Sequence, residues 1–103
     1  MRKTIANRLT ESKQNVPHYY VSSAVEMDAI MALRTELNKK EKENGVKISI
    51  NDIIIKAMAL ALRDYPNVNV QWHGTSVRKF KHADVSVAVA IDGGLITPIV
   101  YRA

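Results

Sequence analysis

The stretch Asp84–Tyr101, DVSVAVAIDGGLITPIVY, decides how the rest of the chain is read. From Val85 to Ile91 it alternates strictly, with Val85, Val87, Val89 and Ile91 on one face and Ser86, Ala88 and Ala90 on the other. That is the period of a β-strand. One face is bulky enough for a core. The other carries only small side chains, so another element can approach closely. Asp92-Gly93 is a strong hairpin signal, and LITPIVY returns as the next strand. Pro98 has no N–H to give to a ladder, which places it at an edge or an interruption.

Moving outward, VNVQW and SVRKFK flank His73-Gly74-Thr75, a turn with its glycine in place, and form a second β pair. Before them a helix is predicted over Asp52–Asp64, capped by Asn51 or Ser49 and ended by Tyr65-Pro66-Asn67. Its body, IIIKAMALAL, is apolar nearly all round. Such a helix is covered on several sides, or waits for surface supplied from elsewhere. A further helix runs from Asp28, as N-cap, to about Asn44, with Gly45 just beyond its end. Ile30, Leu33 and Leu37 line one side of it, and Glu36 and Lys40 have the favourable i, i+4 order. His18–Met27, HYYVSSAVEM, has a strand's composition, with Tyr19, Val21, Ser23 and Val25 on the better core face. Residues 1–14 form a helix whose apolar stripe, Met1, Ile5 and Leu9, is too thin to stabilise it alone. It must dock on another surface, and Pro17 ends it.

The pattern is an α/β domain with helices early and antiparallel strands late. At 103 residues it is a single domain. A chain of this size buries somewhat more than ~60% of its unfolded surface, so it folds with little margin. There is no cysteine, hence neither a disulfide framework nor a thiolate metal site. MRKTIANRLTESK is basic but lacks the apolar core of a signal peptide. Ile53–Leu62 is far short of the ~20 residues a membrane span needs. The expectation is a soluble protein with no membrane partner. The net charge of +5 attracts polyanions. Small basic concentrations lie at Arg2, Lys3 and Arg8 and at Arg78, Lys79 and Lys81.

Little in the chain announces chemistry. No phosphate-binding glycine loop, zinc helix or nucleophile elbow is present. His18, His73 and His82 show no metal-ligand spacing, and no metal is expected. His18 is expected to bond to backbone in a turn. His82 and Asp84 fall on one strand face but have no nucleophile beside them. Lys56 is expected to reach from its apolar helix to the surface. In Gly93–Pro98 the glycines permit close backbone approach, Thr97 offers a hydroxyl and Pro98 stiffens the exit. A kinked hairpin turn and a ligand channel account for this segment equally well.

Three ordered blocks carry a resemblance over nearly the whole chain: MRKTIANRLTESKQNVPHYYVSSAVEMDAIMALRTELN, INDIIIKAMALALRDYPNVNVQW and HADVSVAVAIDGGLITPIV. Together they resemble the catalytic domain of the 2-oxo acid dehydrogenase acyltransferases, the E2 components of those complexes. The last block is most similar to the dihydrolipoamide acetyltransferases of pyruvate dehydrogenase. The resemblance implies a chloramphenicol-acetyltransferase-like fold, a two-layer sandwich of a mixed, mostly antiparallel sheet flanked by helices. Residues 1–103 would be its N-terminal half, and the fold therefore incomplete. It implies acyl transfer between a dihydrolipoyl group and coenzyme A, both as substrates, the lipoyl group carried on another domain. It implies a trimer-based homo-oligomeric core, contact with a lipoyl domain and with the E1 and E3 components, and no nucleic acid. The compartment would be a bacterial cytoplasm or the mitochondrial matrix.

On this resemblance Leu95, Ile96, Thr97 and Pro98 line the substrate channel, and no catalytic residue is assigned. The family's catalytic pattern, a His followed four residues later by Asp and then Gly, has no counterpart here. His82-Ala83-Asp84 has the wrong spacing. The chain alone is expected to be inactive. Two other readings are an inactive core-forming subunit and a small basic binding module. An unpaired sheet edge and an exposed apolar face are expected, and with them self-association.

Overall fold

A computed structural model describes all of residues 1–103. Three helices come first: α1 over Arg2–Asn15, α2 over Asp28–Lys40 with a 3-10 turn over Glu41–Asn44, and α3 over Ile50–Asp64. Six short strands follow: β1 Val70–Trp72, β2 Val77–Lys79, β3 Val85–Ser86, β4 Val89–Ile91, β5 Gly94–Ile96 and β6 Ile99–Val100. The α/β class is as expected. Within these residues, however, the strands form three two-stranded antiparallel ladders, β1-β2, β3-β6 and β4-β5, instead of one mixed sheet.

Local chemistry sets the helix ends. Val16, forced out of the helical region by Pro17, is extended at φ −105°, ψ 124° and stops α1. Asp28 is the first residue of α2, not its cap; Met27 holds that position without a side-chain bond. The Asp28 carboxylate instead places negative charge in the first turn, where the helix dipole favours it. Gly45 takes the left-handed conformation at φ 70° after the 3-10 turn. Of the two candidate caps for α3, Ser49 is used, and the helix starts at Ile50. The Asp52 N–H donates to Ser49 Oγ at 3.2 Å, and the Ser49 N–H donates to Asp52 Oδ2 at 2.7 Å. This is a reciprocal capping box. The Ser49 hydroxyl also donates to Asp52 Oδ2 at 2.7 Å. The hydroxyl and then the amide hold the Asp52 carboxyl below its ordinary value.

The link into α3 is pinned by a device that composition did not reveal. Asn38 on α2 donates from Nδ2 to the Ile48 carbonyl at 3.0 Å and accepts the Ile48 N–H at 2.7 Å. Arg34 Nε donates to the same carbonyl at 3.0 Å. A single side-chain amide thus replaces a ladder partner at Ile48. Ile30, Arg34, Leu37 and Asn38 accordingly form the half-buried side of α2, while Leu33 is exposed. Glu36 and Lys40 pair at 2.7 Å, both well exposed.

The expected strand at His18–Met27 is absent. Tyr19–Glu26 makes no backbone hydrogen bond, because no strand of residues 1–103 lies beside it, and Met27 is already helical at φ −104°, ψ −7°. Tyr19, Tyr20 and Val21 are more than four-fifths exposed. The surface total makes the same point for the whole chain. Accessible area is 9244 Å², against roughly 5,800 Å² for a closed monomer of this mass and about 17,000 Å² for the unfolded chain. Burial therefore falls short of the expected fraction, and Ala59 on α3 is the one fully buried residue. The radius of gyration is 17.2 Å, where a closed domain of this length has about 13 Å. Helix α3 packs on one side only; Ile54 and Met58 are half exposed. Of its two expected fates, it meets the second, an apolar surface open on the molecule.

Candidate functional site

Residues Val85–Val100 make one long hairpin whose two ladders share a register. Val85 lies opposite Val100 and Ser86 opposite Ile99; further out Val89 faces Ile96, Ala90 faces Leu95 and Ile91 faces Gly94. Between the ladders the Val87 N–H donates to the Pro98 carbonyl at 3.0 Å. Pro98 has no N–H to return, so the Val87 carbonyl lacks its ladder donor. The proline interrupts the pairing without shifting it. That is the role the sequence suggested for it. Thr97 contributes its carbonyl, which accepts from Ser86 Oγ at 3.3 Å, while its side chain stays exposed.

The pleat divides the expected channel residues between two faces. Leu95 and Thr97 share the small-residue face with Ser86, Ala88 and Ala90. Ile96 and Pro98 share the bulky face with Val85, Val87, Val89 and Ile91. All four are exposed, Leu95 at 41% and Ile96 at 45%. The hairpin brings them into one short arm, but residues 1–103 do not enclose them.

At the tip, only the second turn residue, Gly93, has a left-handed φ, 77°. Asp92 does not, so this is not the primed turn in which both central residues do. Gly94 serves differently. The Met1 thioether fills the space where its Cβ would be, with Sδ 1.5 Å from that position. The Leu95 N–H donates to Met1 Sδ at 3.1 Å. The start of α1 is thereby seated on the hairpin tip, whereas Leu9 further along α1 is 62% exposed.

The polar residues singled out earlier have structural partners. Asp84 Oδ1 accepts the N–H of Arg102 at 2.8 Å, holding that residue at φ 50°. The His82 carbonyl accepts from Asn69 Nδ2 at 2.9 Å. His18 Nδ1 meets the Val16 carbonyl, the backbone contact expected of it. Lys56 is exposed, as expected, at the rim of an open concavity of about 260 Å³. Arg63, Lys81 and Arg102 also border this concavity, with Ala59 and Phe80 among its lining. The seven-residue spacing of Lys56 and Arg63 on one helix face was the available sign that they would converge; the arrival of Arg102 had none.

Against the model for the 2-oxoacid dehydrogenases acyltransferase (catalytic domain) family, all of residues 1–103 match. The chain belongs to this family. Among relatives of this chain, the dihydrolipoyllysine-residue acetyltransferase component of the pyruvate dehydrogenase complex of Rhizobium meliloti is 59% identical over 107 residues. The mitochondrial protein of the same description from Caenorhabditis elegans is 50% identical over 107 residues. Each alignment covers 100% of this chain but only 24% and 21% of the relative. The chain thus spans about a quarter of their length. Among solved structures, a probable dihydrolipoamide acetyltransferase from Listeria monocytogenes superposes with TM-score 0.89 at 28% identity, over 98% of this chain and 44% of its own. The cubic core of a pyruvate dehydrogenase multienzyme complex gives 0.91 at 25% identity, over 98% and 42%. The acyltransferase fold is present here, in less than half the extent of those solved chains.

Proposed function

We propose that residues 1–103 are the N-terminal half of an E2 catalytic domain. That domain moves an acetyl group between dihydrolipoamide and coenzyme A within a pyruvate dehydrogenase complex. The observation that carries this reading is the match of the whole chain to the acyltransferase family, joined to 59% identity with a protein named for that reaction. In the reaction one thiol, as thiolate, attacks the thioester carbonyl, a tetrahedral oxyanion forms, and the other thiol leaves with the proton.

The part given to this chain is positioning. Leu95, Ile96, Thr97 and Pro98 form a hairpin arm that borders the channel in which the two thiols meet, Leu95 and Thr97 on one face of the arm and Ile96 and Pro98 on the other. Their apolar atoms exclude water once the arm is covered, and the proline ring stiffens the chain at Pro98. The base is not among these residues: His18, His73 and His82 are not followed four residues later by aspartate. The catalytic histidine pattern therefore lies in further polypeptide, and the isolated chain is inactive. The parent forms a trimer-based core and meets a lipoyl domain and the E1 and E3 components. It works in a bacterial cytoplasm or a mitochondrial matrix, a reading supported by relatives that include bacterial and mitochondrial forms. No helix is long and apolar enough to cross a membrane.

The test follows thiol release from acetyl-coenzyme A with dihydrolipoamide. Residues 1–103 alone should give the uncatalysed rate. The same residues joined to the remainder of the Rhizobium meliloti catalytic domain should turn over. Turnover by 1–103 alone, or none by a folded chimera, would overturn the proposal.

A further inference from the structure

The turn that follows α2 holds the one asparagine of the chain with glycine after it. Asn44 ends the 3-10 turn Glu41–Asn44, and Gly45 leaves it in the left-handed conformation, φ 70°, ψ 8°. Every residue from Lys42 to Lys47 is exposed. This stretch takes no part in the hairpin, in the concavity beside α3 or in the chemistry proposed above. An asparagine side chain carries an electrophile, the amide carbon Cγ, and the nitrogen of the next residue is the backbone nucleophile nearest to it. Ring closure between them needs space at that nitrogen, a lightly held N–H and a backbone free to turn.

Asn44-Gly45 meets all three conditions. Gly45 has no side chain to crowd the attack. Its N–H donates to the Lys42 carbonyl at 3.4 Å, outside the usual range of about 2.7–3.2 Å. The bonds that close α1 and α3, from Val16 to Ser12 and from Tyr65 to Ala61, are 3.0 Å and 2.8 Å. The Asn44 side chain is held only by a local, exposed bond, from Nδ2 to Glu41 Oε2 at 2.8 Å. The other asparagines lack at least one condition. Asn15, Asn67 and Asn69 precede valine, whose branched side chain crowds the nitrogen. Asn7 and Asn38 lie inside α1 and α2, and the N–H after Asn51 is held by the Ser49 cap.

We infer that Asn44-Gly45 is a site of self-modification, at which the chain closes a succinimide ring and releases ammonia. The Gly45 nitrogen gives its proton to hydroxide and bonds to Asn44 Cγ. The Cγ–Nδ2 bond breaks, and Nδ2 leaves as ammonia with a proton from water. Water then adds to one of the two ring carbonyls, and the ring opens to aspartate or to isoaspartate. The sum is one water consumed and one ammonia released for each site, with no change of oxidation state. Either product sets a carboxylate at the C-terminal end of the α2 helical segment, where the dipole disfavours it. It also faces Glu41 with a like charge in place of a donor. In isoaspartate the backbone gains an atom inside the loop that Asn38 and Ile48 clasp. The end of α2 therefore loosens as the reaction proceeds.

Incubation of residues 1–103 at mildly alkaline pH, followed by peptide mapping with mass spectrometry, tests the inference. Asn44 should gain about one dalton. It should do so within about tenfold of its rate in the same chain unfolded in urea, since an exposed turn opens at little free-energy cost. The rate should rise with pH, because the nucleophile is the deprotonated amide. Gly45→Ala strains the left-handed position and loosens the turn, yet it should slow the reaction by about tenfold or more through the misplaced nitrogen. Asn44→Gln, which would need a larger ring, should stay intact. In the converted chain the Ile48 N–H should exchange about two- to fivefold faster. An Asn44 that stays unchanged in the folded chain while the unfolded chain converts would overturn the inference. So would conversion of Asn67 or Asn69 at the same rate, or a Gly45→Ala chain that reacts as fast as the native one. No acyl transfer is read, so failure here is separable from failure of the acetyltransferase reading.

Discussion

Gly93 and Gly94 are adjacent, but the structure requires glycine at each for a different reason, and the two are separable by experiment. At Gly93 the backbone has φ 77° and an added Cβ meets nothing within 4 Å. Gly93→Ala therefore carries a conformational cost alone, about 1–2 kcal/mol for an L-residue in the left-handed region. That is roughly a 5- to 30-fold change in an equilibrium constant. Amide exchange from Val89–Ile91 and Gly94–Ile96 should accelerate by this factor, and Gly93→Asn should recover most of the loss because asparagine tolerates that region. Gly94→Ala meets Met1 Sδ instead. The obstacle is the end of a flexible side chain that is 59% exposed as a residue. The ladder amides should then change by less than about threefold while the start of α1 leaves the hairpin. Combining Met1→Ala with Gly94→Ala should add nothing to Met1→Ala alone, whereas Met1→Ala should not rescue Gly93→Ala. A neutral Gly93→Ala, or its rescue by Met1→Ala, would refute the assignment of strain to the turn.

Ser49→Ala removes the cap of α3 and should cost about 1 kcal/mol in helix stability, read by circular dichroism during urea titration. The same interaction has a pH signature. The folded-state pKa of Asp52 lies below its ordinary value of 3.8, so its contribution is complete above that value. It disappears as pH falls through the lowered folded value. Acid titration of α3 should show this loss in the native sequence and a smaller one in Ser49→Ala, where the backbone amide at that position still donates to Asp52. Asn38→Ala leaves the Ile48 N–H without its side-chain acceptor and should cost about 1–3 kcal/mol, with faster exchange of the Ile48 amide as the local reading. Lys40→Ala should change stability by only about 0.5 kcal/mol or less, since the pair with Glu36 is exposed. Sedimentation velocity should show self-association of 1–103 that increases with concentration, driven by half-exposed side chains such as Ile54 and Met58.

Much of the fold was legible because short-range rules decide it. The alternation of Val85–Ile91, the Asp92-Gly93 turn and the missing N–H of Pro98 act within a few residues, and they appear in the hairpin as read. Pro17, Gly45 and Ser49 end or start helices for equally local reasons. Asp28 shows the limit of such rules: it suits a cap and the first helical turn alike, and the path of the chain at Met27 chose the latter. His18–Met27 shows a different limit. Its composition is a strand's, but a strand exists only with a partner, and no local pattern supplies one. The Asn38–Ile48 bridge was illegible because a side-chain amide ten residues away has no periodicity. For the candidate site, Leu95–Pro98 could be placed on a hairpin arm from the sequence. Whether they are enclosed could not be read, since within residues 1–103 all four are exposed.

Small-angle X-ray scattering of residues 1–103, extrapolated to zero concentration, tests most directly whether these residues form a surface meant to be covered by further acyltransferase polypeptide. A radius of gyration near 17.2 Å is expected. A value near 13 Å, that of a closed domain of the same length, would mean that the chain folds its apolar faces onto itself and would contradict the account.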